Sequence, residues 1–300
     1  MKDQAEKLRQ MAQKLFIPTP LSSNGRIIKT SVRSKPHVIT VTSGKGGVGK
    51  TNFTVNLALA LAECGKKVLV IDADLGMGNV DIVLGCSAPY NMMHLLEDNL
   101  EITDIMINGP RGIKFLSGGS GIHELANLSQ ENLGKIIKKM LLVDDWADVI
   151  LVDTGAGISH NVINFVMAAD EVIIITTPEP TAITDAYAIM KTFVRCHGTA
   201  PLKLVVNRVV DDDEGQGVVQ KLVYVALHFL HLSIDKLGFV YEDRCVMQAV
   251  KKQVPLLISF PHSISSHCMN QIAHKIIYGE KITPSKGIKE FFSKLLNKVM

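Results

Sequence analysis

Val38-Ile39-Thr40-Val41-Thr42-Ser43-Gly44-Lys45-Gly46-Gly47-Val48-Gly49-Lys50-Thr51 is the stretch from which the fold is read. An apolar run of strand character enters a glycine-rich turn, and residues 52–62 carry apolar positions at helical spacing. Strand, glycine loop and helix in that order are the setting a phosphate-binding loop requires. The glycines let backbone N–H groups close around an anion, and the helix N-terminus adds its positive dipole. The residues expected to hold a nucleoside triphosphate are Gly44, Lys45, Gly46, Gly47, Val48, Gly49, Lys50, Thr51 and Asn52. Lys50 would reach the outer phosphates and the Thr51 hydroxyl would sit on Mg2+. A tight glycine turn with two solvated lysines leaves the flanking apolar strand and helix unexplained.

Outward from this loop, strand and helix signals alternate. Strands are expected at 38–42, 67–72, 113–117, 148–153, 171–177, 202–207 and 237–240. Helices are expected at 50–64, 90–98, 129–143, 160–169, 181–196, 215–230, 244–253 and 262–278. Val149-Ile150-Leu151-Val152 and Val172-Ile173-Ile174-Ile175 are continuous apolar runs, the mark of strands buried on both faces. The fold class is α/β, a three-layer arrangement with a mostly parallel central sheet flanked by helices. Functional groups then belong at the carboxyl ends of the strands.

Three strand ends deliver such groups. Val68-Leu69-Val70-Ile71 runs into Asp72-Ala73-Asp74, two carboxylates one residue apart. One can hold Mg2+ through water while the other orients an attacking water. Val149-Ile150-Leu151-Val152 runs into Asp153-Thr154-Gly155-Ala156-Gly157, an acid followed by glycines that let the backbone approach a γ-phosphate and move when it leaves. Leu204-Val205-Val206 ends in Asn207-Arg208, an amide to read a base and a guanidinium to lie on it. His228 and His231 have ligand-like spacing but read more simply as a polar helix edge.

Composition sets the outer limits. Of 300 residues, 47% are apolar and 20% charged, enough for a large core in an ordinary globular chain. A formal charge of +3 argues for no nucleic-acid partner by itself. The five cysteines, Cys64, Cys86, Cys196, Cys245 and Cys268, have no C-x-x-C spacing, which points to reduced thiols rather than a disulfide frame or zinc site. No apolar run is long enough to span a bilayer.

The two ends differ from the body. Residues 1–17 read as a helix with Ala5, Leu8, Met11, Ala12 and Leu15 on a narrow apolar stripe, stopped by Pro18 and Pro20. Residues 18–35 and 279–287 are polar linkers around a central domain at 36–278. Residues 288–300 form a second amphipathic helix, with Ile288, Phe291, Phe292, Leu295, Leu296 and Val299 on one face and lysines off it. At roughly 20 Å it is too short to cross a membrane. Its aromatic-plus-lysine makeup suits an interfacial anchor, and it suits equally a last helix packed on the core.

Lys45-Gly46-Gly47-Val48-Gly49-Lys50-Thr51 resembles the deviant Walker A motif of the MinD/ParA family, whose mark is the extra lysine, here Lys45. Asp72-Ala73-Asp74, Asp153 and Asn207-Arg208 extend the resemblance across about residues 36–278. The resemblance implies a slow ATPase using ATP and Mg2+, in which two subunits sandwich two ATP molecules. Lys45 would reach the partner's phosphates, Lys50 and Thr51 would act within the subunit, Asp72 and Asp153 would hold Mg2+ through water, and Asp74 would position the attacking water. Tyr241-Glu242-Asp243 departs from the Pro-Glu-Asp frequent among relatives.

Within that family the chain is similar to the FlhG (FleN/YlxH) branch of flagellum-number regulators. Asp3-Gln4-Ala5-Glu6-Lys7-Leu8-Arg9 resembles its D-Q-A-x-x-L-R activator motif, and Gly155 stands where division-site MinD proteins more often carry proline. This implies an N-terminal segment in which Asp3, Gln4, Leu8 and Arg9 stimulate the SRP-type GTPase FlhF, and a C-terminal helix that binds the inner face of the cytoplasmic membrane when ATP is bound. It also implies flagellar switch-complex proteins or a flagellar transcription regulator as partners, with no direct nucleic acid. The competing readings are a division-site MinD, which leaves residues 3–9 unexplained, and a DNA-segregating ParA, which needs a basic surface. A cluster-bridged redox ATPase is excluded by the lack of a cysteine between Cys86 and Cys196.

Overall fold

The computed structural model describes residues 34–74, 78–118, 128–279 and 285–297. The expected N-terminal helix at 1–17, with Asp3, Gln4, Leu8 and Arg9, lies outside the described residues. A single eight-stranded sheet carries the chain, in the order β3-β4-β2-β5-β1-β6-β7-β8. The strands are β1 (His37–Ser43), β2 (Val68–Ala73), β3 (Ile107–Asn108), β4 (Lys114–Ser117), β5 (Val149–Ala156), β6 (Glu171–Thr176), β7 (Leu202–Val209) and β8 (Ile234–Tyr241). Every neighbouring pair is parallel except β3 against β4.

Period-two alternation divides the strand side chains between two helical layers. Val68, Val70, Leu151 and Ile173 pack toward α1 (Lys50–Glu63) and a C-terminal helix, α11 (Ile264–Tyr278). Leu69, Ile71, Ile150 and Val152 pack toward the opposite layer. That layer contains α4 (Gln130–Met140), α5 (Leu142–Trp146), α6 (His160–Ala168), α7 (Pro180–Arg195) and α8 (Asp212–Leu230). Shorter helices complete the described set: α2 (Val80–Leu84), α3 (Ile102–Ile105), α9 (Arg244–Lys252), α10 (Leu256–Ser259) and the C-terminal α12 (Gly287–Asn297).

All seven expected strands are present, and β3 is an addition only two residues long. The helix expected at 90–98 is a 3-10 segment, Met92–Leu96, started by Asn91, whose side chain accepts the Met93 N–H. The helix expected at 129–143 is instead two helices that meet at Leu141.

The C-terminal helix takes, in this structure, the second of the two placements its pattern allows. Its apolar face does not stand free for a membrane: Ile288, Phe291, Phe292 and Leu295 are buried in the core beside α4, α5 and α6. The Phe291 ring stacks on Phe165 of α6 at 6.2 Å between centroids. Burying side chains of this size is worth about 1.5–3 kcal/mol each, so the monomer itself offers the cover that an exposed amphipathic helix lacks. Polar contacts fix the entry to the helix. Ile288 N–H donates to Asp144 Oδ1 at 2.8 Å, and Lys286 N–H donates to Asp170 Oδ2 at 3.3 Å. Asp170 Oδ2 also accepts the N–H of Val38 at the start of β1, at 3.1 Å. The side chains of Leu296 and Val299 lie outside the described residues.

Candidate nucleotide site

β1 ends at Ser43 and α1 begins at Lys50, so residues 44–49 form the loop between them. α1 has no side-chain cap, and its N-cap is Gly49 in the left-handed region at φ 91°. The backbone N–H groups of its first turn are therefore left for an anion. Gly44 is required by close approach, because a Cβ there would overlap the Asp185 backbone of α7.

Asp153 is the centre of the site. It lies on β5 beside Val41 of β1 and Asp72 of β2. Its Oδ1 receives Lys50 Nζ at 3.1 Å and Thr54 Oγ1 at 3.1 Å, and its Oδ2 receives Thr51 Oγ1 at 2.7 Å. Burial pushes the Asp153 carboxyl up, while Lys50 and the two threonine hydroxyls pull it back toward the carboxylate. Asp72 is buried beside it. Burial, reinforced by the Asp153 charge, pushes Asp72 up to about 6. Its Oδ1 accepts the Asp74 N–H at 3.1 Å and its Oδ2 accepts the Val80 N–H at 3.2 Å.

These groups fit a magnesium ion. A hydroxyl and two carboxylates are hard oxygen donors, and Mg2+ is held by one or two carboxylates together with substrate phosphates and waters rather than by an all-protein cage. Consistent with that, no group of three His, Cys, Asp or Glu residues forms a metal cage among the described residues. A pair of carboxylates whose acidity is suppressed by burial, with the Asp153 charge adding to the effect at Asp72, is also what a divalent cation would relieve.

Asp74 sits on the loop after β2, half-buried, with its Oδ1 3.4 Å from the place a Cβ on Gly155 would take. The expected water-positioning acid thus faces the first glycine after Asp153. Lys45 points elsewhere. Its Nζ lies 2.6 Å from Glu179 Oε2 and 2.8 Å from Thr181 Oγ1, at the start of α7. The hydrogen bond from Lys45, with its charge, lowers the Glu179 carboxyl below its usual range.

Asn207 and Arg208 lie at the end of β7 as expected, but Asn207 braces the loop: its Nδ2 donates to Val48 O at 2.7 Å. A Cβ at Gly49 would come within 2.5 Å of that nitrogen, a second reason for glycine there. Arg208 is exposed, with a left-handed φ of 59°. Sequence reasoning missed Thr54, Glu179 and Thr181. Thr54 stands one helical turn after Lys50, a spacing that puts both on one face. Glu179-Pro180-Thr181 follows a strand and has proline at the first helical position, a readable helix start.

Fold and site together define a P-loop NTPase. The family model for ParA, described as NUBPL iron-transfer P-loop NTPase, matches residues 34–277. The antiactivator FleN of Pseudomonas aeruginosa is 38% identical over 255 residues, covering 85% of this chain and 91% of that protein. The flagellum site-determining protein YlxH of Helicobacter pylori is 35% identical over 264 residues, covering 86% and 89%. Among solved structures, the MinC:MinD cell division complex of Aquifex aeolicus superposes with a TM-score of 0.65 at 28% identity, covering 82% of this chain and 97% of that one. The chain belongs to the ParA family, in the branch that holds FleN and YlxH.

Proposed function

We propose that the protein is an ATP-driven dimerisation switch that regulates the number and placement of bacterial flagella. Its similarity to FleN and YlxH supports a MinD-like ATPase acting on flagella. The observation that carries the switch is the position of Lys45. A second loop lysine held on Glu179 and Thr181 is spare for its own site and is available to a partner's phosphates.

In this reading Lys50 would bind the outer phosphates, the Thr51 hydroxyl would sit on Mg2+, and Asp72 and Asp153 would hold the ion through water. The ion supplies charge neutralisation along the phosphate chain. Asp74 takes the proton side of the attacking water while Gly155 N–H faces the γ-phosphate. Asp153 keeps Lys50, Thr51 and Thr54 in one cluster, so the loop needs little rearrangement when ATP arrives. Lys45 exchanges Glu179 for the partner's phosphates, so that ATP joins the dimer and hydrolysis releases it. Turnover is slow because the nucleotide state is the output.

The buried face of α12 adds a second step. In the monomer the helix covers its own apolar face, and in the dimer two released helices would bind the membrane together, where one alone is marginal. The N-terminal segment, with Gln4 foremost, would stimulate FlhF. Equilibrium sedimentation of Lys45→Ala with ATP tests the central claim. Loss of the dimer with nucleotide binding kept supports it, and an undiminished dimer rejects it. Removing residues 2–17 should abolish stimulation of FlhF GTP turnover; unchanged stimulation would take the activating role away from this segment, and no stimulation by the full chain would return the protein to the division-site reading.

A further inference from the structure

Thr54 lies beneath the phosphate loop rather than in it. It stands on α1 one helical turn after Lys50, and it is fully buried. A threonine inside a helix ordinarily turns its hydroxyl back to the carbonyl one turn earlier, and here Oγ1 lies 3.0 Å from Lys50 O. The same Oγ1 lies 3.1 Å from Asp153 Oδ1 on β5. A hydroxyl has a single proton to donate, so Thr54 serves one of these two acceptors at a time. Lys50 O does not depend on it, because an interior helix carbonyl already receives a backbone N–H. Asp153 Oδ1 is different. Its other side-chain donor among the described residues is Lys50 Nζ at 3.1 Å, in an ion pair almost wholly shut off from solvent. In the proposed cycle that ammonium is the group that turns to the outer phosphates. A buried carboxylate oxygen that loses its donor is costly unless another replaces it.

We propose that Thr54 is a positioning residue for Asp153, and that its proton passes from Lys50 O to Asp153 Oδ1 as the Lys50 ammonium leaves for the phosphates. The inference rests on the reading of Asp153 as a Mg2+-holding group. The two acceptors are nearly equidistant from Oγ1, so the exchange needs a turn of the O–H bond and no movement of heavy atoms. Thr51 keeps its proton on Oδ2 at 2.7 Å, and its oxygen lone pairs stay free for the ion, since a hydroxyl both donates and accepts. The carboxylate is then gripped at both oxygens while its counter-charge departs. Thr54 touches neither nucleotide nor ion and acts through Asp153 alone.

The test uses the full chain and N-methylanthraniloyl-ATP, with fluorescence followed first in EDTA and then across a magnesium titration. Thr54→Val keeps the branched shape and removes the hydroxyl. In EDTA its affinity for the probe should stay within about twofold of the parent's, because Lys50 and the loop N–H groups are untouched. The magnesium midpoint should rise about tenfold or more, the usual result of removing a hydrogen bond behind a metal-holding group. Thr54→Ser, which retains the hydroxyl, should return the midpoint toward the parent's. Thermal melts establish that each variant is folded, and Thr54→Ala makes the same test if Thr54→Val is not. An unchanged midpoint in a folded variant without the hydroxyl overturns the proposal. So does an equal loss of affinity in EDTA and in magnesium, which would make Thr54 a packing residue, and so does a Thr54→Ser midpoint no better than that of Thr54→Val. Probe binding by the parent that ignores magnesium overturns the metal reading of Asp153 and this inference together. A magnesium-dependent parent with an unshifted Thr54→Val overturns this inference alone.

Discussion

Two acids at neighbouring strand ends do different work although they share a motif. Asp72 is held less acidic by its burial, with the Asp153 charge adding to it, whereas Asp74 is half-buried against Gly155. Asp74→Ala should leave ATP binding intact and lower turnover by about a hundredfold or more. Phosphate release at the parent rate would remove Asp74 from the reaction. For Asp72 the sign is fixed by a folded-state value of about 6 against 3.8 for the free side chain. The folded state then binds the proton more tightly, so stability is lost as pH rises from about 4 to 6 and stays lost above that. Without nucleotide and Mg2+, Asp72→Asn should stabilise the protein by about 1–2 kcal/mol near pH 7. The gain should shrink toward pH 5 in thermal melts, and a pH-independent difference would contradict the burial account. The sequence located both acids because apolar strands deliver them. It gave no distance to Asp153, and so no sign that Asp72 would be the strained member.

At the scale of elements, the parallel core was legible because buried strands are written as unbroken apolar runs. The segments that were misread are those whose pattern is local and short. Met92–Leu96 has helical spacing but stays a single 3-10 segment, and β3 is too short to carry an alternation. α12 had a clear pattern and an undetermined destination, since an apolar face fits a bilayer and a protein groove alike. The deciding residues, Asp144, Phe165 and Asp170, are more than a hundred positions away in sequence. Asp144→Ala removes the acceptor for Ile288 N–H. If α12 is a releasable anchor, this variant should raise liposome binding without ATP several-fold, since a lost charged hydrogen bond costs about 1.5–3 kcal/mol. A lower melting temperature with no gain in liposome binding would make α12 a structural element alone.

For the whole molecule, one consequence of the sheet order is that β1 lies at its centre, between β5 and β6, with the nucleotide loop at its carboxyl end and the α12 seat at its amino end. α6 provides the other link, beginning just after Gly157 and carrying Phe165 to Phe291. A rearrangement at Gly155 on ATP binding therefore has a short mechanical path to the C-terminal helix. Phe165→Ala should weaken the dependence of liposome binding on nucleotide, raising it with ADP while leaving ATP affinity within about twofold, because the residue touches no nucleotide group. A retained ATP-to-ADP ratio would rule α6 out as that path.

The single oxygen of Asp170 that receives both Val38 and Lys286 also orders events in time. Its two partners come from opposite ends of the domain, 132 and 116 positions away. Contacts between such distant positions form late, after the loops between them have closed. During synthesis β1 can settle against β5 and β6 while this carboxylate is only half satisfied, and the seam closes only when the segment before α12 arrives. A helix that docks after the sheet has closed would also be the first element to leave it.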